Sequence, residues 1–165
     1  AASDVYKRQV HNNQKIYADA TGRVAANRWS VLPKTYDWVF SDTNGLVTKE
    51  LRNVNGLKEY YENGERKVDT LVNIYTRKFF VEPKSGKVAM NGWYQSEKTG
   101  TYYEAARTGF VERSIVKAGN HYFLYEGDRL ASSDTSVTIG DKTFAFNKYG
   151  MSGAPTKSGA AEGLA

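Results

Sequence analysis

Residues 56–64 read GLKEYYENG, and residues 100–109 read GTYYEAARTG. In each, an aromatic pair is followed by a few polar residues and a glycine. With that glycine as a marker, copies run outward in both directions. IYADATG ends at Gly22, WVFSDTNG at Gly45, EYYENG at Gly64, FFVEPKSG at Gly86, YYEAARTG at Gly109, YFLYEG at Gly127 and FAFNKYG at Gly150. The markers recur about every 21 residues with small slips, so the phrase is a repeat unit.

The residues after each marker also align. Two positions on stand Val24, Val47, Val88 and Val111; six or seven positions on stand Trp29, Leu51, Leu71, Trp93 and Val116. Each unit therefore carries an aromatic strand, a turn and a second apolar position. Aromatic and β-branched residues alternating with polar ones suit half-buried strands, and Asn44-Gly45, Asn63-Gly64 and Ser85-Gly86 supply the positive φ of a tight hairpin turn. A lone hairpin buries too little apolar surface to be stable in water, so neighbours must stack. The expectation is an all-β fold, an elongated solenoid of stacked β-hairpins built from about seven repeats of about 21 residues over 14–155. No stretch sustains apolar residues at helical spacing, so almost no helix is expected. Residues 1–13 read as a leading segment or partial repeat, and the small, polar residues 156–165 as a disordered tail.

Composition agrees with a thin structure. The 165 residues suit one domain, but only 40% are hydrophobic, mean hydropathy is -0.61, and the 22 aromatic residues comprise 12 Tyr, 7 Phe and 3 Trp. Tyrosine joins an apolar body to a polar tip and tolerates half exposure. The chain has no cysteine, which removes disulfides and thiolate metal sites. The net charge of +5 comes from basic and acidic residues scattered through the chain, which argues against nucleic-acid binding. No apolar run approaches the roughly 20 residues that span a bilayer, so membrane insertion is not expected; the N-terminus also lacks the apolar core of a signal peptide.

Three stretches carry a family resemblance: SGKVAMNGWYQSEKTGTYYEAARTG (85–109), GNHYFLYEGDRLASS (119–133) and IGDKTFAFNKYGMSGAP (139–155). They resemble the cell-wall-binding repeats of Gram-positive surface proteins, a superfamily that includes choline-binding modules, glucan-binding repeats of glucansucrases and receptor-binding repeats of clostridial toxins. The resemblance covers roughly residues 14–155 and implies a noncatalytic, secreted or cell-surface module. Such a module would hold its parent protein on a cell-wall polymer or glycan, with α-glucan and the choline of teichoic acid as candidate partners. The family's Gly-Trp survives at Gly92-Trp93, with Trp29 at the equivalent place after Arg28; Leu51, Leu71 and Val116 stand there elsewhere. With three Trp in the chain, a full series of choline cages is not expected.

Candidate ligand-binding residues lie where a repeat-end Trp meets the next aromatic strand. Trp29 with Tyr36 and Trp38 forms one group; Trp93 with Tyr94, Tyr102 and Tyr103 forms the other. A flat ring can stack on the apolar face of a sugar while neighbouring polar groups satisfy its hydroxyls. The competing reading is that the rings fill the core, which is favoured for any single Tyr or Phe, Tyr122, Tyr125, Phe144 and Phe146 among them, and evenly balanced for Trp29 and Trp93.

Catalysis is not expected. His11 and His121 are the only histidines and neither sits in a triad pattern, while acidic pairs such as Asp19 with Asp42 or Glu82 with Glu104 read as turn residues. No cofactor, phosphate-cradling loop or metal site is indicated. Two other readings remain: a structural spacer or self-assembling surface fibre joined through strand edges, and an intracellular interaction scaffold, because GLKEYYENGERK (56–67) also resembles YYENG-type repeats.

Overall fold

The computed structural model describes residues 15–19 and 21–158. Among them sixteen strands are joined mostly by tight turns into antiparallel pairings, so the all-β, hairpin-rich class read from the repeats is the one observed. Residues 1–13 lie outside the described residues. The length suggests one domain, whereas the contacts of the described residues group into two compact units: those up to 70 with 81–88, and 71–80 with those from 89 to 158.

In the first unit, β1 (Arg28–Val31), β2 (Trp38–Ser41), β3 (Val47–Val54), β4 (Leu57–Glu62) and β5 (Glu65–Lys67) form a meander in chain order. Val54 pairs with Leu57 and Glu62 with Glu65, so Asn55-Gly56 and Asn63-Gly64 are two-residue turns. Both residues of each have positive φ, the type I′ geometry that matches strand twist and that Asn-Gly adopts most readily. Asn44-Gly45 differs. Asp42 N–H donates to Leu46 O, Gly45 N–H donates to Asp42 O, and the Asp42 carboxylate accepts from the N–H groups of Asn44 and Leu46. The β2–β3 register then skips between Phe40 and Ser41, the mark of a bulge. Ser85-Gly86 also closes a longer loop, with Glu82 N–H on Lys87 O. The marker glycines thus serve two kinds of turn, which accounts for the slips in the repeat.

Tyr17, Ala25, Leu32 and Val39 are buried together with Val47 against them, and Leu51 and Tyr60 are buried on β3 and β4. Glu59 on β4 binds the Lys87 ammonium and the Arg66 guanidinium, and accepts from the Tyr61 hydroxyl at 3.0 Å. The Lys87 hydrogen bond is the main reason the Glu59 carboxyl sits below its ordinary value of 4.5. A lowered carboxyl pKa stabilises the folded state above that ordinary value and loses its contribution as pH falls through the folded one. Urea midpoints should therefore drop on acidification below 4.5, and drop less in Glu59→Gln.

The second unit opens with a hairpin of β6 (Thr70–Ile74) and β7 (Arg77–Val81), strands whose outermost residues Thr70 and Val81 belong to the first unit. A meander follows: β8 (Gly92–Gln95), β9 (Tyr102–Ala105), β10 (Val111–Ala118), β11 (His121–Glu126) and β12 (Arg129–Leu130). Next come β13 (Thr135–Ile139), β14 (Lys142–Phe146), β15 (Met151–Ser152) and β16 (Thr156–Lys157). β13, β14 and β16 make a separate sheet. β15 instead joins β11 at Tyr122 and Phe123, while β12 takes its other end at Tyr125 and Glu126. Two buried clusters hold this unit. One gathers Tyr102, Ile115, Leu124, Ala131, Val137, Phe144 and Phe146, and the other Phe80, Ala89 and Ala105. Thr156 and Lys157, expected in a disordered tail, pair with Thr143 and Lys142 as β16; residues from 159 on lie outside the described ones.

Candidate binding surfaces

Strand register decides which aromatic rings can act together. On β1 and β2, Trp29 pairs with Phe40 and Val31 with Trp38, so Trp29, Trp38 and Phe40 share one face. The rings of Trp29 and Phe40 lie 5.5 Å apart, tilted by 56°. Tyr36 sits in the connecting turn, 64% exposed, with φ +61. That left-handed backbone is uncommon for a bulky residue and carries strain of about 1–3 kcal/mol. Lys58 Nζ donates to Tyr36 O at 2.8 Å and stands 6.0 Å from the Trp38 ring centroid, while Lys49 Nζ lies 5.2 Å from that of Phe40. Burial pulls the Lys58 ammonium below its ordinary value, opposed by Asp37. Of the first group, Trp29 and Trp38 therefore share a face, and Tyr36 stands in the turn that joins their strands.

The second group is divided. Trp93 pairs with Glu104, Tyr94 with Tyr103 and Gln95 with Tyr102, and side chains alternate along a strand. Trp93 and Tyr102 face one side, Tyr94 and Tyr103 the other, so the four rings do not form one cage. Tyr102 is buried with its ring edge-on to Phe144 at 5.8 Å. The Tyr94 hydroxyl donates to Met90 O at 2.6 Å, and Tyr103 packs on Phe80 at 4.7 Å. Trp93 is half-buried, 5.4 Å from the Arg113 guanidinium. Arg113 donates to both Glu104 oxygens at 2.6 and 3.0 Å, and this bond raises the Arg113 pKa above its ordinary value.

A groove of about 560 Å³ in the second unit includes the candidate Tyr103, together with Phe110 and Arg77, which the sequence did not single out. Tyr103 and Phe110 supply its aromatic lining; Thr76, Arg77, Ser114 and Asp128 supply polar groups. The Arg77 guanidinium lies 4.1 Å from the Phe110 ring centroid, and Lys78 Nζ lies 3.8 Å from Asp128 Oδ1. Arg77 and Phe110 come from different repeats, so no local motif links them. The groove offers flat apolar surface beside hydrogen-bond donors and acceptors, the combination that polyhydroxylated ligands require.

The acidic pairs have local employment. Asp19 and Asp42 each accept from backbone N–H groups of their own turns, Glu82 accepts from the Ser85 hydroxyl, and Glu104 holds Arg113. His121 is exposed on β11, and His11 lies outside the described residues. Among the described residues no group of three or more His, Asp or Glu side chains could hold a metal ion, and no helix is long and apolar enough to cross a membrane.

No protein-family model and no curated protein matches the chain. Solved structures do. CbpJ from Streptococcus pneumoniae TIGR4 matches at 18% identity and a TM-score of 0.37, over 92% of this chain and 48% of that one. Choline binding protein F from Streptococcus pneumoniae, solved with a peptidoglycan analogue, matches at 19% identity and a TM-score of 0.36, over 92% and 46%. A truncated alternansucrase from Leuconostoc mesenteroides matches at 12% identity and a TM-score of 0.39, over 93% and 12%. The chain thus spans about half the length of the first two, or less.

Proposed function

We propose that this chain is a noncatalytic repeat module that attaches a parent protein to a cell-wall polymer or glycan at a Gram-positive surface, its hairpins stacked as a solenoid. The observation that carries the reading is the groove beside Tyr103 and Phe110, where apolar rings and hydrogen-bonding side chains line one surface. The face of Trp29 and Trp38, with Tyr36 in the turn that joins their strands, offers a second surface of the same kind in the other unit. Trp93 is a third contact, with the buried Tyr102 beside it on the same face, while Tyr94 lies on the opposite face. The sequence resemblance to wall-binding repeats supports the same ligand class. Each surface is small, so binding is weak per site and strengthened when one polymer engages several.

Retention of the purified chain on insoluble Gram-positive cell wall and on α-glucan tests this reading, with choline and soluble glucan as separate competitors and oligomer size followed throughout. Retention released by a competitor supports the module. Absence of retention together with growth into large assemblies would replace it with the self-assembling fibre. Trp29→Ala and Trp93→Ala are each expected to weaken retention about tenfold, roughly 1.4 kcal/mol. Unfolding curves must accompany both, since losing a large buried ring can cost about 3–5 kcal/mol and mimic a binding defect. Unchanged retention by both folded variants would remove the Trp assignment.

A further inference from the structure

Seven rings among the described residues have a cation within about 6 Å of their centroid, the range of cation–π attraction. The pairs are Lys49 with Phe40, Arg52 with Tyr61, Lys58 with Trp38, Arg77 with Phe110, Arg113 with Trp93, Lys117 with Tyr122, and Lys148 with Tyr149. Arg52 and Arg113 are also bound by carboxylates, Glu50 and Glu104. The other five form no ion pair among the described residues, although Asp37 acts on Lys58 and Glu62 is the register partner of Lys49, and they occur in both units.

This has two chemical consequences. A quaternary ammonium needs free aromatic faces, and here two of the candidate rings, Trp38 and Trp93, already face the chain's own positive charges, which repel another cation. Conversely, a cation mounted on a ring keeps donors for an anion, while the ring edge and its neighbours contact a sugar or polyol. Arg77 is the clearest case. Its guanidinium rests on Phe110 inside the groove, and no carboxylate uses its planar set of donors, a geometry suited to carboxylate or phosphate. Glu112 and Asp128 also line the groove, with Lys78 beside Asp128, so selection rests on Arg77 itself rather than on excess charge.

We propose that the ligand is an anionic polyhydroxylated polymer, carrying carboxylates or phosphodiesters, that is read by ring-mounted cations with Arg77 in the groove and Lys49 on the β2–β3 face as its principal contacts. This rests on the polymer-binding reading above and narrows it. A recurrent ring–cation pair suits a ligand whose charge also recurs along its length.

The test measures binding of the whole chain to polygalacturonate, poly(glycerol phosphate), neutral dextran and choline chloride, each across a salt series. Binding to either polyanion, weakened by salt and stronger than to dextran, is the expected result, and the two arms tell carboxylate from phosphodiester. Lys49→Gln combined with Arg77→Gln should weaken it at least about tenfold, and Arg77→Lys should lose part of the Arg77 contribution. Lys84→Gln combined with Lys157→Gln changes net charge equally at exposed lysines that belong to none of these ring–cation pairs, and should weaken it much less. Equal loss in the two double variants would overturn the ring-mounted assignment. Equal, salt-insensitive binding to dextran, or saturable choline binding, would overturn the anionic ligand while leaving a binding module. Failure to bind any of the four, or cell wall, would overturn the module itself. Circular dichroism and urea midpoints matching the parent chain keep the variants interpretable.

Discussion

Phe144→Ala is expected to destabilise the second unit by about 3–5 kcal/mol. Phe144 is 1% exposed and stands at the joint between two sheets. From β14 its ring meets Tyr102 of β9 edge-on at 5.8 Å and Tyr122 of β11 at 5.1 Å, and stacks on Phe146 at 5.8 Å. Truncation forfeits transfer free energy and those ring contacts together, and the strands around it are too short and too cross-paired to close over the void. The loss is a large part of the 5–15 kcal/mol that an ordinary domain has in total. Phe144→Leu keeps much of the volume and should cost less, about 1–2 kcal/mol. Urea unfolding followed by intrinsic fluorescence reads both. A Phe144→Ala penalty under about 1 kcal/mol would mean that β14 does not pack against the larger sheet as described.

Phe144 and Phe146 were legible as core from sequence because they alternate with Ala145 and Lys148 follows in a turn, leaving one apolar face. The hairpin class was legible for a related reason: a strand of alternating character ending in Asn-Gly has few other uses for its backbone. Asn63-Gly64 became the tight turn expected of it, and Asn55-Gly56 formed another. Asn44-Gly45 did not, although the dipeptide is the same. The difference lies at Asp42, whose carboxylate accepts from two backbone N–H groups and stabilises a wider loop. Spacing of glycines alone could not distinguish the two, because both turns place a glycine at positive φ and only the residue before the loop reveals which is preferred. Division into two compact units depends on contacts between distant segments, to which a local period is blind.

The site was less legible than the fold, for one reason that the sequence held and one that it did not. Trp93 and Tyr94 are adjacent, as are Tyr102 and Tyr103, and adjacent residues on a strand point to opposite faces. Assigning both pairs to strands therefore already implied that the four rings divide. The cations over the rings are another matter. Lys49 reaches Phe40 because those residues are register partners, and Arg77 reaches Phe110 across a wide sequence separation. Both depend on pairing that composition and period leave undetermined.

Gly150→Ala is expected to cost about 2–4 kcal/mol, more than any loop position should on conformational grounds alone. Gly150 has φ +76, where an alanine pays about 1–2 kcal/mol against its own carbonyl. Here space is lacking as well. A Cβ would lie 2.9 Å from Ala131 O, 3.2 Å from Ala131 N and 3.3 Å from Leu124 O. These are backbone atoms that cannot rotate away. Leu124 N–H donates to Gly150 O, and Leu124 O accepts from Ala131 N–H, so the three residues lock the edge of β11 where β12 ends and β15 begins. Displacing Ala131 would strain a buried residue of the main cluster. Gly100→Ala isolates the backbone term, because Gly100 has the same φ of +76 in the same unit and nothing within 4 Å of its added Cβ. It should cost only about 1 kcal/mol. Denaturant midpoints of the two variants measure the gap directly; equal penalties would show that the β11 edge yields at Gly150, and that the close approach there contributes no specificity to the fold.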